Sequence, residues 1–271
     1  MGQYSAIEWT DHTFNPWWGC TKVSPGCKFC YAETLSGRYG HDVWGPRATR
    51  RTFGEQHWQE PLKWQRNAQD QSRRMRVFCA SMADVFEDSQ SLDVERQRLW
   101  TLIAETPALD WLLLTKRPEH MQRLTPWGNE WPNNVWAMTS VENQDLAEER
   151  IPALLEVPAV VRGLSVEPLL GSVDLTPWLD QIHWVIVGGE SGSQARPMQP
   201  TWAYHVRDQC RAAGVPFFFK QWGAWSPEVT TPNTEPLLIR RSKRSAGRLL
   251  EGELWDQLPD VAEIAQCCTL P

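Results

Sequence analysis

Three cysteines stand close together near the N-terminus: Cys20, Cys27 and Cys30, in the run Gly19-Cys20-Thr21-Lys22-Val23-Ser24-Pro25-Gly26-Cys27-Lys28-Phe29-Cys30-Tyr31. Thiolates clustered within eleven residues can hold a metal centre, and their chemistry suits iron–sulfur or zinc. Three cysteines rather than four leave one coordination position for another ligand, and reactions occur at such positions. A zinc site would draw its fourth ligand from His12 or His41. A second Cys-x-x-Cys pair, the stronger zinc signature, is absent, and Cys79 and Cys210 stand alone. Gly19, Pro25 and Gly26 make a loop able to wrap a compact cluster. Cys267 and Cys268, at the far end, are expected to be terminal thiols without a role.

A second set of reactive residues follows the short apolar runs. Asp84 comes after Val77–Met82, which also contains Ser81. Thr115, Lys116 and Arg117 follow Trp111–Leu114; Thr139, Ser140, Glu142 and Asn143 follow Val135–Met138. Ser165 and Glu167 follow Val160–Leu164; Gly188, Gly189 and Glu190 follow Trp184–Val187; Lys220 and Gln221 follow Pro216–Phe219. Three carboxylates in similar places after adjacent runs exceed what chance polar strand ends would supply. The Gly188-Gly189-Glu190-Ser191-Gly192 turn lacks the spacing of a dinucleotide or P-loop motif, but its backbone can approach a nucleoside closely.

These residues need elements to position them. The apolar runs are short, rich in β-branched and aromatic residues, and do not alternate, as strands buried on both faces do. A further strand is expected over Thr13 to Trp18. Helices are expected at Ser91–Glu105, Arg117–Leu124, Gln144–Leu155 and Thr201–Ala213, the last stopped by Gly214. Strands alternating with helices imply parallel pairing through right-handed crossovers. The expected class is α/β, a partial (β/α) barrel of about six or seven parallel strands whose C-terminal strand ends share one reactive face. Residues 1–225 form this domain, and residues 226–271, with Pro227, Pro232 and Pro236 and a basic run, form a capping segment.

Composition bounds the rest. The chain has 271 residues, 41% hydrophobic and 22% charged, an ordinary globular composition with length for a sizeable core. Seventeen tryptophans speak first for packing. No apolar run approaches a membrane span, and the N-terminus lacks the pattern of a secretory signal. A cytoplasmic, reducing location is expected, where cysteines serve as ligands or thiols rather than disulfides. The net charge of −6 gives no global nucleic-acid footprint. The stretch Arg47–Arg76, with Trp58 and Trp64 among its arginines, and the run Arg240–Arg248 could each meet phosphates and stack on bases.

Cys27-Lys28-Phe29-Cys30-Tyr31-Ala32 resembles the Cys-x-aromatic-Cys end of the radical S-adenosylmethionine (SAM) motif, although six residues rather than three separate Cys20 from Cys27. More closely, the chain resembles a three-cysteine family associated with phages and prophages, related to the spore photoproduct lyase branch of that superfamily. The resemblance is carried by Asn15-Pro16-Trp17-Trp18-Gly19-Cys20, Leu113-Leu114-Thr115-Lys116-Arg117-Pro118, Leu164-Ser165-Val166-Glu167-Pro168-Leu169-Leu170, Val185-Ile186-Val187-Gly188-Gly189-Glu190-Ser191-Gly192 and Phe217-Phe218-Phe219-Lys220-Gln221-Trp222-Gly223.

The resemblance implies that Cys20, Cys27 and Cys30 ligate three irons of a [4Fe–4S] cluster, with SAM on the fourth. An electron from a reductase or a flavodoxin- or ferredoxin-type donor would cleave SAM to a 5′-deoxyadenosyl radical that abstracts substrate hydrogen. Phe29, Ser81, Asp84, Thr139, Gly188, Gly189 and Glu190 are then the expected cofactor contacts, and Lys116, Glu142, Glu167 and Lys220 the expected catalytic groups. The expected substrate is a nucleic acid or nucleotide, modified or repaired, with no membrane partner. Two other readings compete: a non-catalytic iron–sulfur or zinc protein that binds nucleic acid, and a divalent-metal nuclease or hydrolase using Asp84, Glu142, Glu167 and Glu190.

Overall fold

A computed structural model describes residues 5, 7–228 and 237–267. Seven parallel strands form one sheet in the order of the chain: β1 (His12–Thr13), β2 (Met75–Cys79), β3 (Leu109–Thr115), β4 (Val135–Ser140), β5 (Val161–Val166), β6 (Trp184–Gly188) and β7 (Phe217–Gln221). Strand order that follows chain order, with every pair parallel, is the singly wound topology of a (β/α) barrel, and seven strands make it a partial one. The α/β class expected above is the one observed. Strand interiors are buried throughout β4 and β6, and nearly so in β2 and β3. Cover on both faces explains runs that read as continuously apolar.

The helices are α1 (Tyr31–Arg38), α2 (Glu55–Trp58), α3 (Glu60–Asp70), α4 (Asp93–Glu105), α5 (Met121–Leu124), α6 (Gln144–Leu155), α7 (Pro200–Ala213), α8 (Lys243–Ala246) and α9 (Val261–Cys267). In α7, Ala203, Val206, Arg207 and Cys210 are buried at helical spacing, Pro200 opens the first turn, and Gly214 ends the helix with φ 70°. Helix α6 spans the residues its periodicity predicts, burying Ala147, Ile151 and Leu154.

Other expectations needed correction. The strand expected over Thr13–Trp18 is only His12–Thr13, followed by an isolated bridge from Trp18 to Arg51. The helix expected over Arg117–Leu124 is a 3₁₀ turn at Pro118–His120 followed by the single turn α5. Pro118 lacks the amide that would let a helix start further back. Helices α1, α2 and α3 occupy a segment for which no helix was expected.

The chain forms two compact units: one of Met1–Ser24, Ala32–Thr139 and Ala153–Val160, the other of Pro25–Tyr31, Ser140–Pro152 and Val161–Pro271. In the second unit, β8 (Trp225–Glu228) pairs antiparallel with β9 (Leu237–Arg240), and β10 (Leu249–Leu250) with β11 (Glu253–Leu254). Pro232, Pro236 and Cys268 lie outside the described residues. No helix among the described residues is long and apolar enough to cross a membrane.

Candidate active site

In the first unit, the site is built around Cys20. Its thiol is half-buried, and the Arg117 guanidinium donates to Sγ from 3.7 Å. Arg117 also donates to the Thr21 carbonyl (2.7 Å) and to Asp84 Oδ2 (2.8 Å). Asp84 is 6% exposed and accepts four bonds: from Arg117, the Thr115 hydroxyl (2.7 Å), and the Lys116 and Phe86 amides. The carboxylate after β2 thus aims the arginine after β3 at the first cysteine.

A second arginine holds the same turn from the other side. Arg50 donates to the Thr21 hydroxyl (2.9 Å), to the carbonyls of Val43, Gly45 and Ala48, and in a fork to Glu87 (2.6 and 3.0 Å). The Gly45 amide donates to the Cys20 carbonyl at 2.9 Å. Burial pushes the Cys20 thiol up to about 12, with Asp84 adding to the shift and Arg117 opposing it. A metal arriving there has to displace a proton. Burial works against the Arg117 charge, but Asp84 and Cys20 outweigh it and hold its pKa above the ordinary arginine value.

In the second unit, Cys27 and Cys30 flank the end of a 3₁₀ turn at Pro25–Cys27, and two buried carboxylates hold that loop. Glu142, fully buried after β4, accepts from the Gly26 amide at 3.1 Å and faces Arg150 at 3.5 Å. A β-carbon on Gly26 would lie 2.5 Å from Glu142 Oε1 and 2.9 Å from Cγ. Position 26 therefore has to be glycine for the carboxylate to reach the loop.

Glu190, after β6, binds Arg196 through a fork (2.7 and 2.9 Å) and accepts its amide at 2.8 Å. Arg196 donates on to the Pro25 carbonyl at 3.0 Å, and its guanidinium lies 5.2 Å from the Phe29 ring centroid. The hydrogen bonds to Glu190 hold the Arg196 pKa above its ordinary value. Phe29, expected near an adenine, is thus flanked by this cation and by the Lys28 ammonium, also 5.2 Å away.

A third cluster belongs to β5, β6 and β7. Glu167 accepts from Lys220 Nζ with both oxygens (2.8 and 2.7 Å) and from Gln221 Nε2 at 3.3 Å. Both partners of this ion pair are part-exposed, at 18% and 14% of their side chains. Gly188 lies beneath the pair: a β-carbon there would sit 3.1 Å from the Glu167 carboxyl carbon. Gly189 has a different reason, since its β-carbon would lie 2.7 Å from the Trp222 carbonyl carbon. The Gly-Gly-Glu and Gln-Trp-Gly segments therefore cross backbone to backbone, and Gly189 is a packing requirement whatever else it touches.

The remaining expected residues occupy plainer places. Ser81 accepts from the Asn15 amide at 3.1 Å. Thr139 is fully buried and donates to the Thr115 carbonyl at 3.0 Å, joining β3 to β4. Lys116 is half-buried.

The stacking role considered for Trp58 and Trp64 fails, because both are only 3% exposed in the core. The basic stretch around them is largely paired: Arg50 with Glu87, Arg73 and Arg76 with Asp11, and Arg74 with Asp110. Likewise Arg241 meets Glu228 and Arg248 meets Asp256. His12, considered as a zinc ligand, stacks on Trp64 with centroids 4.3 Å apart and lies against Met75.

Arg117, Arg150, Arg196 and Gly26 escaped sequence reasoning as site residues. Arg117 adjoins Lys116 in the same strand-end run; Gly26 meets a partner 116 residues away, while Arg150 and Arg196 lie only eight and six residues beyond Glu142 and Glu190 and could have been sought there.

Among the described residues, no group of three His, Cys, Asp or Glu side chains is arranged to hold one metal ion. A cluster makes a different demand: each cysteine binds its own iron, so the thiols need spacing rather than convergence on one point. The chemistry of the donors suits that demand: all three thiols are half-buried, and Cys20 already receives an N–H at sulfur.

The fold is similar to solved structures of spore photoproduct lyase. A cysteine-to-serine mutant of that enzyme matches at 13% identity and TM-score 0.45, over 87% of this chain and 70% of that one. A mutant with bound AdoMet and dinucleoside spore photoproduct matches over the same shares at 11% identity and TM-score 0.45. A search of curated proteins finds no match. The model of the family described as "Protein of unknown function (DUF5131)" matches residues 4–259, nearly the whole sequence, and the chain belongs to that family.

Proposed function

We propose that this protein is a radical SAM-type iron–sulfur enzyme that modifies or repairs a nucleic acid or nucleotide. The observation that carries the reading is the treatment of the cysteine loop. Each end is fixed by a buried carboxylate–arginine pair drawn from a strand end: Asp84–Arg117 at Cys20, and Glu142–Arg150 and Glu190–Arg196 at Cys27. Such fixation preorganises a ligand set, and second-layer partners of this kind orient metal ligands.

On this reading Cys20, Cys27 and Cys30 hold the cluster, and Phe29 faces the adenine of SAM. When bound, the cluster and SAM supply a 5′-deoxyadenosyl radical, using one electron from a flavodoxin- or ferredoxin-type donor, to take hydrogen from the substrate. The protein's own residues orient and exclude water. Glu142 and Glu190 position the loop, while the part-exposed Glu167–Lys220 pair and Lys116 face the substrate and hold its polar groups. Residues 1–225 carry this chemistry and 226–271 cap it. A reducing cytoplasm is the setting that composition suggests, and phage or prophage association is what the resemblance implies.

A hydrolytic alternative needs carboxylates open to a divalent cation. Asp84, Glu142, Glu167 and Glu190 each face an arginine or lysine instead. The nucleic-acid part rests on the family resemblance, since the basic stretch is largely neutralised.

The test is anaerobic reconstitution followed by reduction with dithionite in the presence of SAM. The reading predicts release of 5′-deoxyadenosine and methionine, lost in Cys30→Ala. An intact, reduced cluster that leaves SAM uncleaved refutes it.

A further inference from the structure

We infer that Arg117 is an electrostatic tuning residue for the iron bound by Cys20: its guanidinium hydrogen-bonds the ligating sulfur and makes the cluster easier to reduce. The inference rests on the iron–sulfur reading above and adds a residue and a role to it.

Arg117 is 6% exposed, so water scarcely screens it. Three groups fix its planar fork: the Asp84 carboxylate at 2.8 Å, the Thr21 carbonyl at 2.7 Å and Cys20 Sγ at 3.7 Å. The contacts to Asp84 and Thr21 hold the guanidinium in place whether or not the sulfur is ligated. Thr21 is pinned in turn by Arg50, whose own charge is met by Glu87 at 2.6 Å. Sulfur and guanidinium are therefore held at a fixed separation by two ion pairs and four backbone carbonyls.

A donor pointing at a ligating thiolate withdraws charge from it, and the more negative, reduced cluster gains more from that donor than the oxidised one does. Hydrogen bonds to sulfur and local charge are known means by which a protein sets the potential of such a centre. Lysine at the same place would keep the charge but not the fork. Asp84 offsets the arginine charge, so the pair as a whole is neutral and the directed N–H is what remains.

The experiment measures the cluster's reduction midpoint by a spectroscopically monitored redox titration of anaerobically reconstituted protein. Wild type is compared with Arg117→Lys, Arg117→Gln and the double variant Arg117→Gln with Asp84→Asn. The double variant removes both buried charges together, so it folds without the unpaired carboxylate that Arg117→Gln leaves behind.

The inference predicts a midpoint shifted to more negative potential in both glutamine variants, at unchanged iron and sulfide content, and a smaller shift for lysine. Equal midpoints in loaded wild type and loaded double variant overturn it and leave Arg117 as a brace for the Cys20 turn. A wild-type protein that takes up no iron–sulfur overturns the proposed function itself, and this inference with it.

Discussion

The contact between Gly26 and Glu142 allows a direct test of how the cysteine loop is held. In Gly26→Ala the new β-carbon lies 2.5 Å from Glu142 Oε1 and 2.9 Å from Cγ, far inside van der Waals contact. The carboxylate cannot retreat, because Glu142 is fully buried and its partner Arg150 is 2% exposed. Overpacking of this kind costs about 1–3 kcal/mol. Displacing the loop instead breaks the Gly26 amide bond to a carboxylate, worth roughly 1.5–3 kcal/mol. Either route leads to a loss on the order of 2–3 kcal/mol.

Urea denaturation of the metal-free protein reads this loss, and a double-mutant cycle assigns it. Glu142→Ala alone destabilises, since it strands Arg150, but it also opens the space the alanine methyl needs. Adding Gly26→Ala to Glu142→Ala should therefore cost less than about 0.5 kcal/mol, a coupling at the upper end of that measured for residues in contact. Equal cost of Gly26→Ala in both backgrounds would refute the argument that the carboxylate is why position 26 is glycine.

Other predictions concern packing and pH. Gly189→Ala forces a methyl against the Trp222 backbone, which cannot swing aside, and is expected to lower stability by at least about 3 kcal/mol or prevent soluble expression. In contrast, Gly37→Ala, inside α1 with open space around it, should raise stability by about 0.5–1 kcal/mol in urea denaturation. His183 has its pKa lowered from 6.5 to about 4 by burial and by the nearby Arg162 charge, and its ring accepts the Arg162 amide at 3.0 Å. The unfolded chain therefore binds the extra proton between these values, so the contribution of His183 is full above pH 6.5 and is lost as pH falls toward about 4. With discount for partial exposure the limb amounts to roughly 2 kcal/mol, and His183→Gln should flatten it in urea titrations across that range.

Much of the fold is legible in the sequence because its strands are covered on both faces. The runs Trp111–Leu114, Val135–Met138 and Trp184–Val187 lie wholly within β3, β4 and β6, whereas Val77–Met82 overruns β2 at Cys79, and Val160 and Pro216 stand just before β5 and β7. Helix α6 is read to the residue because Ala147, Ile151 and Leu154 recur at helical spacing. The helices between Tyr31 and Asp70 went unpredicted for an opposite reason. Helix α1 buries only Ala32 and Ser36, which leave no apolar stripe, and α2 and α3 hide their tryptophans among charged residues. Gly54 before α2 and Pro61 in the first turn of α3 were the available signals.

At the site, composition and spacing pick out the cysteines and the strand-end carboxylates, but not what those carboxylates face. Asp84 holds an arginine 33 residues away, a pairing set by topology, whereas Glu142 and Glu190 hold arginines eight and six residues further along the chain. Glu142, expected as a catalytic group, and Asp84 and Glu190, expected as cofactor contacts, are thus each engaged with an arginine beside a cysteine turn.

The central claim is that Cys20, Cys27 and Cys30 together hold an iron–sulfur cluster. Its most direct test is iron and acid-labile sulfide analysis of anaerobically prepared wild type beside Cys20→Ala, Cys27→Ala and Cys30→Ala. The account predicts about four irons and four sulfides per chain in wild type, with loss in each variant. Stoichiometric zinc without sulfide in wild type, or iron and sulfide contents that survive all three substitutions, would contradict it.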